Sequence, residues 1–345
     1  MQKFHTESLI RPMRYAIWNN KGGVGKTFLS FILSTELANR KKKPVIVVDM
    51  CPQANLSEII LGGNGTGSAR LEDFIKRRKT VGGYFDTRIG SPHAITGKET
   101  DYLIRAKTHN PHLPDDLFLL AGDPSLEIQA QVINQISGQT LPVDAWKNVH
   151  NWLYELVIEC SKKLGEESVS VLIDCNPSFA AYTELSMIAA ERVIIPCSSD
   201  GSSARAIDNV GTLLYGISSG GYGAATFSSK ANQNKMPLPQ IHSVLLNRST
   251  QYSNKASKAF EAMFDEIKNR SNKLKTAAPA RFVGGKAHFL DIPDSHSVAI
   301  VCSHLGMPLY QVKPGQYDVF STTPQVNSEP LERYQSAVEE LIKTL

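Results

Sequence analysis

One nine-residue stretch limits this chain to a small set of folds. Asn19-Asn20-Lys21-Gly22-Gly23-Val24-Gly25-Lys26-Thr27 follows an apolar, β-prone run at 14–19. It opens a segment, 27–39, in which Phe28, Phe31, Ile32, Thr35 and Leu37 recur at helical spacing. A strand, a glycine loop and a helix in that order form the setting in which backbone N–H groups converge on an anion. The glycines permit the curl, and the helix N-terminus adds its positive dipole. Gly22, Gly23, Val24, Gly25, Lys26, Thr27 and Phe28 are therefore the candidate phosphate cradle. Lys26 is expected to reach the β- and γ-phosphates of a nucleotide, and the Thr27 hydroxyl to ligate Mg2+.

The same strand texture recurs at 44–49, 117–120, 169–174, 192–196 and 241–247, as short continuous apolar runs. Strands of this kind are usually buried on both faces of a parallel sheet. Helical patterns lie at 126–136, 143–163, 182–191 and 255–269. The alternation predicts an α/β fold, a doubly wound, mostly parallel sheet flanked by helices. The 345 residues are read as a single domain over 1–345. Residues 1–12 read as a loose lead-in, and 62–68 and 80–114 as irregular, polar stretches broken by Gly and Pro. An insertion at 62–114 and a flexible excursion at 217–237 are expected on the surface.

Composition closes off other classes. No apolar run approaches the roughly 18 residues of a membrane-spanning helix, and the N-terminus lacks the apolar core of a signal peptide. Five scattered cysteines with no CxxC pair argue against a disulfide framework or structural zinc and for the reducing cytoplasm. The nine histidines show no HExxH spacing, and there is no GxSxG elbow.

Two carboxylates complete the candidate site. Asp49 closes the strand of 44–49 and heads Asp49-Met50-Cys51-Pro52-Gln53-Ala54-Asn55-Leu56-Ser57. Asp174 closes the run Val171-Leu172-Ile173. An acidic group at the C-terminal end of a parallel strand can face a Mg2+-phosphate centre.

Together these three motifs resemble the ParA/MinD family of P-loop ATPases, closest to the ParA-type partition ATPases. Lys21-Gly22-Gly23-Val24-Gly25-Lys26-Thr27 is similar to the deviant Walker A loop of that family. The stretch from Asp49 is similar to its switch I, matching at Asp49, Pro52, Gln53, Asn55 and Ser57. Asp174-Cys175-Asn176-Pro177-Ser178 is similar to its switch II, with Asn176 in place of a proline. The resemblance spans 14–61, about 117–248 and 290–345; the segment 62–114 has no counterpart.

The resemblance implies ATP and Mg2+ as cofactors, with catalytic roles for Lys21, Lys26, Asp49 and Asp174 and metal ligation by Thr27, Asp49 and Asp174. It implies an ATP-bound homodimer in which Lys21 crosses the interface to the partner's phosphates. It also implies that Asn247, Pro293 and Asp294 border the base. One position departs from the pattern: Cys51 stands where the family places the aspartate that orients the attacking water. A thiol is mostly neutral at pH 7 and a weak hydrogen-bond acceptor. Slow or partner-dependent hydrolysis is the expectation.

Charge suggests the track. The chain carries only +4, yet 251–290 holds eight basic residues against three acidic ones. Lys255, Lys258, Lys268, Arg270, Lys273 and Lys275 form the candidate nonspecific DNA surface, and cytoplasmic ATPases of this type associate with the nucleoid when DNA-bound. The C-terminal stretch 329–345 has an apolar face in Leu331, Tyr334, Val338, Leu341, Ile342 and Leu345, but its polar face is net acidic. A membrane-surface helix needs a basic one, so docking on the sheet is expected and no membrane partner. The reading is an ATP-dependent dimerising switch ATPase that positions DNA or other cargo, stimulated by a partner protein yet to be identified. The alternative is a regulatory or scaffold ATPase subunit in which nucleotide is structural and DNA is not the track.

Overall fold

A computed structural model describes residues 12–165, 168–198, 201–217, 227–249, 251–252, 255–256, 258–320 and 322–345, with no side chains at 201 or 248–260. Most of the lead-in and 218–226 of the excursion lie outside that description, as do the side chains of Lys255 and Lys258.

The strands are β1 (Met13–Ile17), β2 (Val45–Met50), β3 (Ile104–Arg105), β4 (Leu117–Leu120), β5 (Ser170–Cys175), β6 (Arg192–Cys197) and β7 (Gln240–Ser249). Two-residue pieces β8 (Gln251–Tyr252) and β9 (Lys255–Ala256) pair with each other, and β10 (His288–Pro293) follows. A last pair is β11 (Gly315–Gln316) with β12 (Gln325–Val326). The main sheet has eight strands in the order β10-β7-β6-β1-β5-β2-β4-β3. Every neighbouring pair in it is parallel except β3 with β4.

Alternate residues of each strand supply the two cores, as the period of two requires. Tyr15, Ile17, Val45, Val47, Leu117 and Leu119 join one cluster; Ala16, Trp18, Ile46, Val48 and Leu120 join the other. On the first face lie α1 (Lys26–Lys41), α2 (Asn55–Ile60) and α3 (Thr66–Lys76). On the second lie α4 (Val81–Gly90), α5 (Leu126–Ser137), α6 (Ala145–His150), α7 (Trp152–Lys163), α8 (Ala181–Ala189), α9 (Gly201–Tyr215) and α10 (Phe227–Gln233). The basic helix α11 (Lys258–Ala277) packs on α9, and α12 (His296–Leu305) and α13 (Ser328–Thr344) return to the first face.

The docked C-terminal helix matches its sequence pattern. Leu331, Tyr334, Val338, Leu341 and Ile342 of α13 are buried in the same cluster as Tyr15 and Ile292. No helix of the described residues is long and apolar enough to cross a membrane.

Two sequence expectations need correction. The stretch 80–114 is not irregular throughout. Thr80 caps α4, its Oγ1 accepting from the Gly83 N–H (3.0 Å), and Tyr84 and Phe85 are wholly buried. Buried Arg88 lies against the rings of Tyr84 and Trp152 and pairs with Glu155. The Gly-rich composition hid a helix because the cap and the core contacts outweigh glycine's low propensity. The run 143–163 is likewise two helices, α6 and α7, separated at Asn151.

On β7, His242 is buried, with Nε2 donating to the Thr344 carbonyl oxygen (3.0 Å) and its ring against Tyr15 and His288. Burial, aided by Arg192 and His288, pushes it down from 6.5 to about 4. The folded state therefore binds this proton less readily than the unfolded chain, and stability should fall as pH drops from 6.5 toward 4. Thermal melts of wild type and His242→Gln over that range should show the slope flattened in the variant.

Candidate functional site

Parallel register places the ends of three strands side by side. Ile17 of β1 pairs with Asp174 of β5, and Asp174 with Asp49 of β2. The chain leaving β1 is pinned at once. The Trp18 N–H donates to Ile194 O (3.0 Å), and the buried Asn19 amide donates to Pro196 O (2.7 Å) while its Oδ1 accepts from the Lys21 N–H (3.0 Å). Gly23 and Gly25 take positive φ (75° and 80°), and α1 starts at Lys26 with Gly25 as its left-handed cap. The loop thus ends on a helix N-terminus with no acidic residue in its first turn, an electrostatic setting made for an anion.

Lys26 is 6% exposed and its Nζ donates to the Lys21 carbonyl oxygen (2.8 Å). Burial lowers its pKa, and Asp174 opposes the shift. The two carboxylates are buried in different ways. Asp49 is fully engaged: Oδ2 accepts from the Ser57 N–H (2.9 Å) and Oγ (2.7 Å), and Oδ1 from the Cys51 N–H (3.1 Å). Asp174 accepts at Oδ1 from Ser30 Oγ (3.0 Å), but its Oδ2 is buried with no hydrogen-bond partner. Burial raises both carboxyls, and the neighbouring Asp49 raises Asp174 further.

An orphaned buried oxygen is costly unless something fills the place. Oδ2 of Asp174, with the Thr27 hydroxyl beside that carboxyl, fits a Mg2+ bound mainly by waters and phosphate oxygens. Asp49 does not fit as a direct ligand while Ser57 and Cys51 occupy its oxygens. Its structural part was less legible in the sequence. Ser57 Oγ also accepts from the Gly122 N–H (2.8 Å), and a Cβ on Gly122 would stand 2.9 Å from the Asp49 carboxyl carbon. Only the fold brings Gly122 there; the sequence signal was no more than a glycine after an apolar strand.

Gly23, Gly25, Lys26, Thr27, Phe28 and Cys51 face a cavity of about 350 Å3 at this end of the sheet. Gln53, Asn55, Ile59, Cys175, Pro177 and Ser303 close it. Ser303, on α12, had no signal in the sequence. Gly22 and the buried Val24 lie in the loop beside it. Lys21 folds back, its Nζ donating to Ser198 Oγ (2.8 Å). Asn247 reaches the loop but donates its amide to Val24 O (2.7 Å). Pro293 is buried beside it at the end of β10, whereas Asp294 is exposed, and neither faces the cavity.

Cys51 sits at the mouth. Its Sγ accepts from Asn176 Nδ2 (3.5 Å), and burial together with Asp49 pushes the thiol up to about 11. It is uncharged at neutral pH. The candidate DNA residues lie elsewhere. Lys268 pairs with Asp265 (3.8 Å) and lies over Phe264, and Arg270 pairs with Glu266 (2.7 Å) and with Asp208. Lys273 and Lys275 carry no ion pair among the described residues.

The CobQ/CobB/MinD/ParA nucleotide binding domain matches residues 15–277, which contain every motif above. The chain belongs to that family. A curated relative, the uncharacterized protein MJECL24 of Methanocaldococcus jannaschii, is 28% identical over 186 residues, 53% of this chain. The chain spans 57% of that relative's length. Among solved structures, apo McdA from Cyanothece superposes with a TM-score of 0.62 at 16% identity, over 95% of this chain and 98% of that one. The ATP complex of a McdA variant gives 0.60 at 14%, over 96% of each chain. Protein DIP2308 of Corynebacterium diphtheriae gives 0.53 at 18%, over 75% and 88%. At these identities the likeness is one of fold.

Lys26 and Asp174 can be separated by ligand-dependent melting. ATP at a hundred times its Kd stabilises a one-site protein by about 2.7 kcal/mol. Lys26→Ala should lose that stabilisation with or without Mg2+, whereas Asp174→Asn should lose mainly the Mg2+-dependent part.

Proposed function

We propose that the chain is one ATP-dependent switch ATPase unit that dimerises on ATP, with 62–114 as its insertion, and that it positions DNA or other cargo with turnover held low by Cys51. The observation that carries this reading is the neutral thiol at the mouth of the phosphate cavity, hydrogen-bonded by the switch II residue Asn176.

Lys26 and the N–H groups of the loop bind and orient the phosphates. Thr27 and Asp174 would hold Mg2+, which would supply neutralisation of phosphate charge. Asp49 shapes switch I through Ser57 and the Cys51 N–H. The remaining need is a group that positions water and takes its proton. A carboxylate at position 51 could do so; a thiol with a pKa of about 11 cannot. Bound nucleotide therefore persists until a partner protein completes the site. Lys21 has the length to leave Ser198 and reach across an interface, which makes the dimer dependent on nucleotide.

Steady-state turnover tests the Cys51 role. Cys51→Asp should raise kcat by tenfold or more, within the range of general-base effects, and Cys51→Ala should match wild type. A wild type already as fast as Cys51→Asp would sink the idea. Sedimentation in ATP should show a dimer that Lys21→Ala loses, while ATP still raises the variant's melting temperature.

One observation favours the scaffold alternative. Lys268 and Arg270 are occupied by acidic neighbours, leaving Lys273 and Lys275 as the clearest candidates for phosphate contact. Electrophoretic mobility shifts with nonspecific duplex decide between the two. ATP-dependent retention lost in Lys273→Glu/Lys275→Glu supports the DNA track; no retention at low salt supports the scaffold reading.

A further inference from the structure

The sheet has a second cavity, at the end opposite the phosphate loop, with a volume of about 600 Å3. That volume lies within the range of pockets that bury a small organic ligand. Its walls come from the N-terminal ends of β1 and β6, the C-terminal end of α8, one side of α6 and α7, and the turn after α10.

Four of the lining residues are basic, Arg14, Lys147, Arg192 and Lys235, against the single carboxylate of Glu191. That carboxylate is occupied, paired with Arg14 (3.1 Å). Arg14 is itself 4% exposed and fully engaged. It donates to Ala189 O (2.7 Å) and Pro12 O (2.9 Å) and lies over the Tyr154 ring. Arg192 lies over Tyr15 and donates to its hydroxyl (3.3 Å). Lys147 and Lys235 are exposed and have no acidic partner among the described residues. With Glu191 paired to Arg14, the uncompensated charge sits on Arg192 and on the two flexible ammonium groups of Lys147 and Lys235 at the rim, above a wall that includes Met13, Tyr154 and Met236.

We infer that this cavity binds an organic carboxylate with an apolar body, its carboxylate held between Lys147 and Lys235 and its body against Met13, Tyr154 and Met236. Charge complementarity selects the anion. The surroundings select a singly charged one. The end of α8 that borders the cavity is its C-terminus, where the negative end of the dipole opposes a second negative charge, and the Arg14 guanidinium is already taken up by Glu191, Ala189 O and Pro12 O, so the rim offers mainly two separate ammonium groups. The apolar wall gives a reason for a body rather than a bare ion.

The methionines report on the site directly. The chain has seven, and Met13 and Met236 line the cavity. Met50 lies at the far end of β2 and Met307 just beyond α12, and neither lines the cavity. In full-length protein with 13C-methyl methionine, decanoate below its micellar concentration should shift Met13 and Met236 saturably and leave Met50 and Met307 in place. Decylamine, equal in length and opposite in charge, should leave all four unmoved. Lys147→Glu/Lys235→Glu, two exposed changes that the fold tolerates, should weaken decanoate binding at least tenfold with the circular dichroism unchanged. The inference is overturned if decanoate causes no saturable shift, if decylamine shifts the same methyls, or if the folded double variant binds decanoate as wild type does.

Discussion

Two carboxylates on adjacent strands, both buried and in register, are the constraint around which this molecule is arranged. Asp49 and Asp174 stand opposite one another at the ends of β2 and β5. Two like charges in a low-dielectric site are unfavourable unless each is compensated. The fold compensates them separately. Switch I wraps Asp49 in three donors, from Ser57 and Cys51. Asp174 is met by the Ser30 hydroxyl at Oδ1 with the Thr27 hydroxyl and Lys26 close by, and its Oδ2 is buried without a close hydrogen-bond partner. The asymmetry is one of function within the fold: one carboxylate organises the loop, and the other keeps an oxygen open toward the cavity end of the sheet.

That arrangement extends beyond the cavity. Ser57, which holds Asp49, also accepts from Gly122, and the next residue, Asp123, is buried beneath Arg78 and Thr80. Thr80 caps α4. The switch is thereby joined through Gly122 and Asp123 to the segment 62–114. The same segment grips the far side of the site. The Asn64 N–H donates to His304 O (3.1 Å) and the Asn110 amide to Gly306 O (2.8 Å), next to Ser303, which faces the phosphate cavity. These contacts tie the segment to switch I on one side and to α12 and the turn after it on the other.

Much of the site was legible along the chain because its chemistry is local. A cradle needs glycines, a lysine and a hydroxyl within nine residues, and a strand-end carboxylate shows as an acid after an apolar run. The parts that were not legible depend on distance. Asn247 is a strand-end residue in the sequence; the structure turns its amide onto Val24, so it braces the loop. Ser303 and Gly122 join the site from elements with no nucleotide-binding pattern of their own. Arg270 counted as a free positive charge in the sequence until Asp208, 62 residues away, proved to be its partner.

The sequence by itself determined the six inner strands of the sheet, the phosphate loop and the presence of two acids at strand ends, because hydrophobic period, glycine placement and strand–helix alternation act within a few residues; the edge strands β10 and β3 were settled only by pairing. It also marked Cys51 as the odd residue of switch I. Tertiary structure decided which acid is held by the protein and which is left with an open oxygen, since that turns on Ser57, Gly122 and Ser30 arriving from separate elements. It also decided that the glycine-rich stretch after Thr80 is a core helix, and that basic residues from β1, α6, β6 and the turn after α10 meet around one cavity. No local rule contains those outcomes, because each is set by packing between residues far apart in the chain.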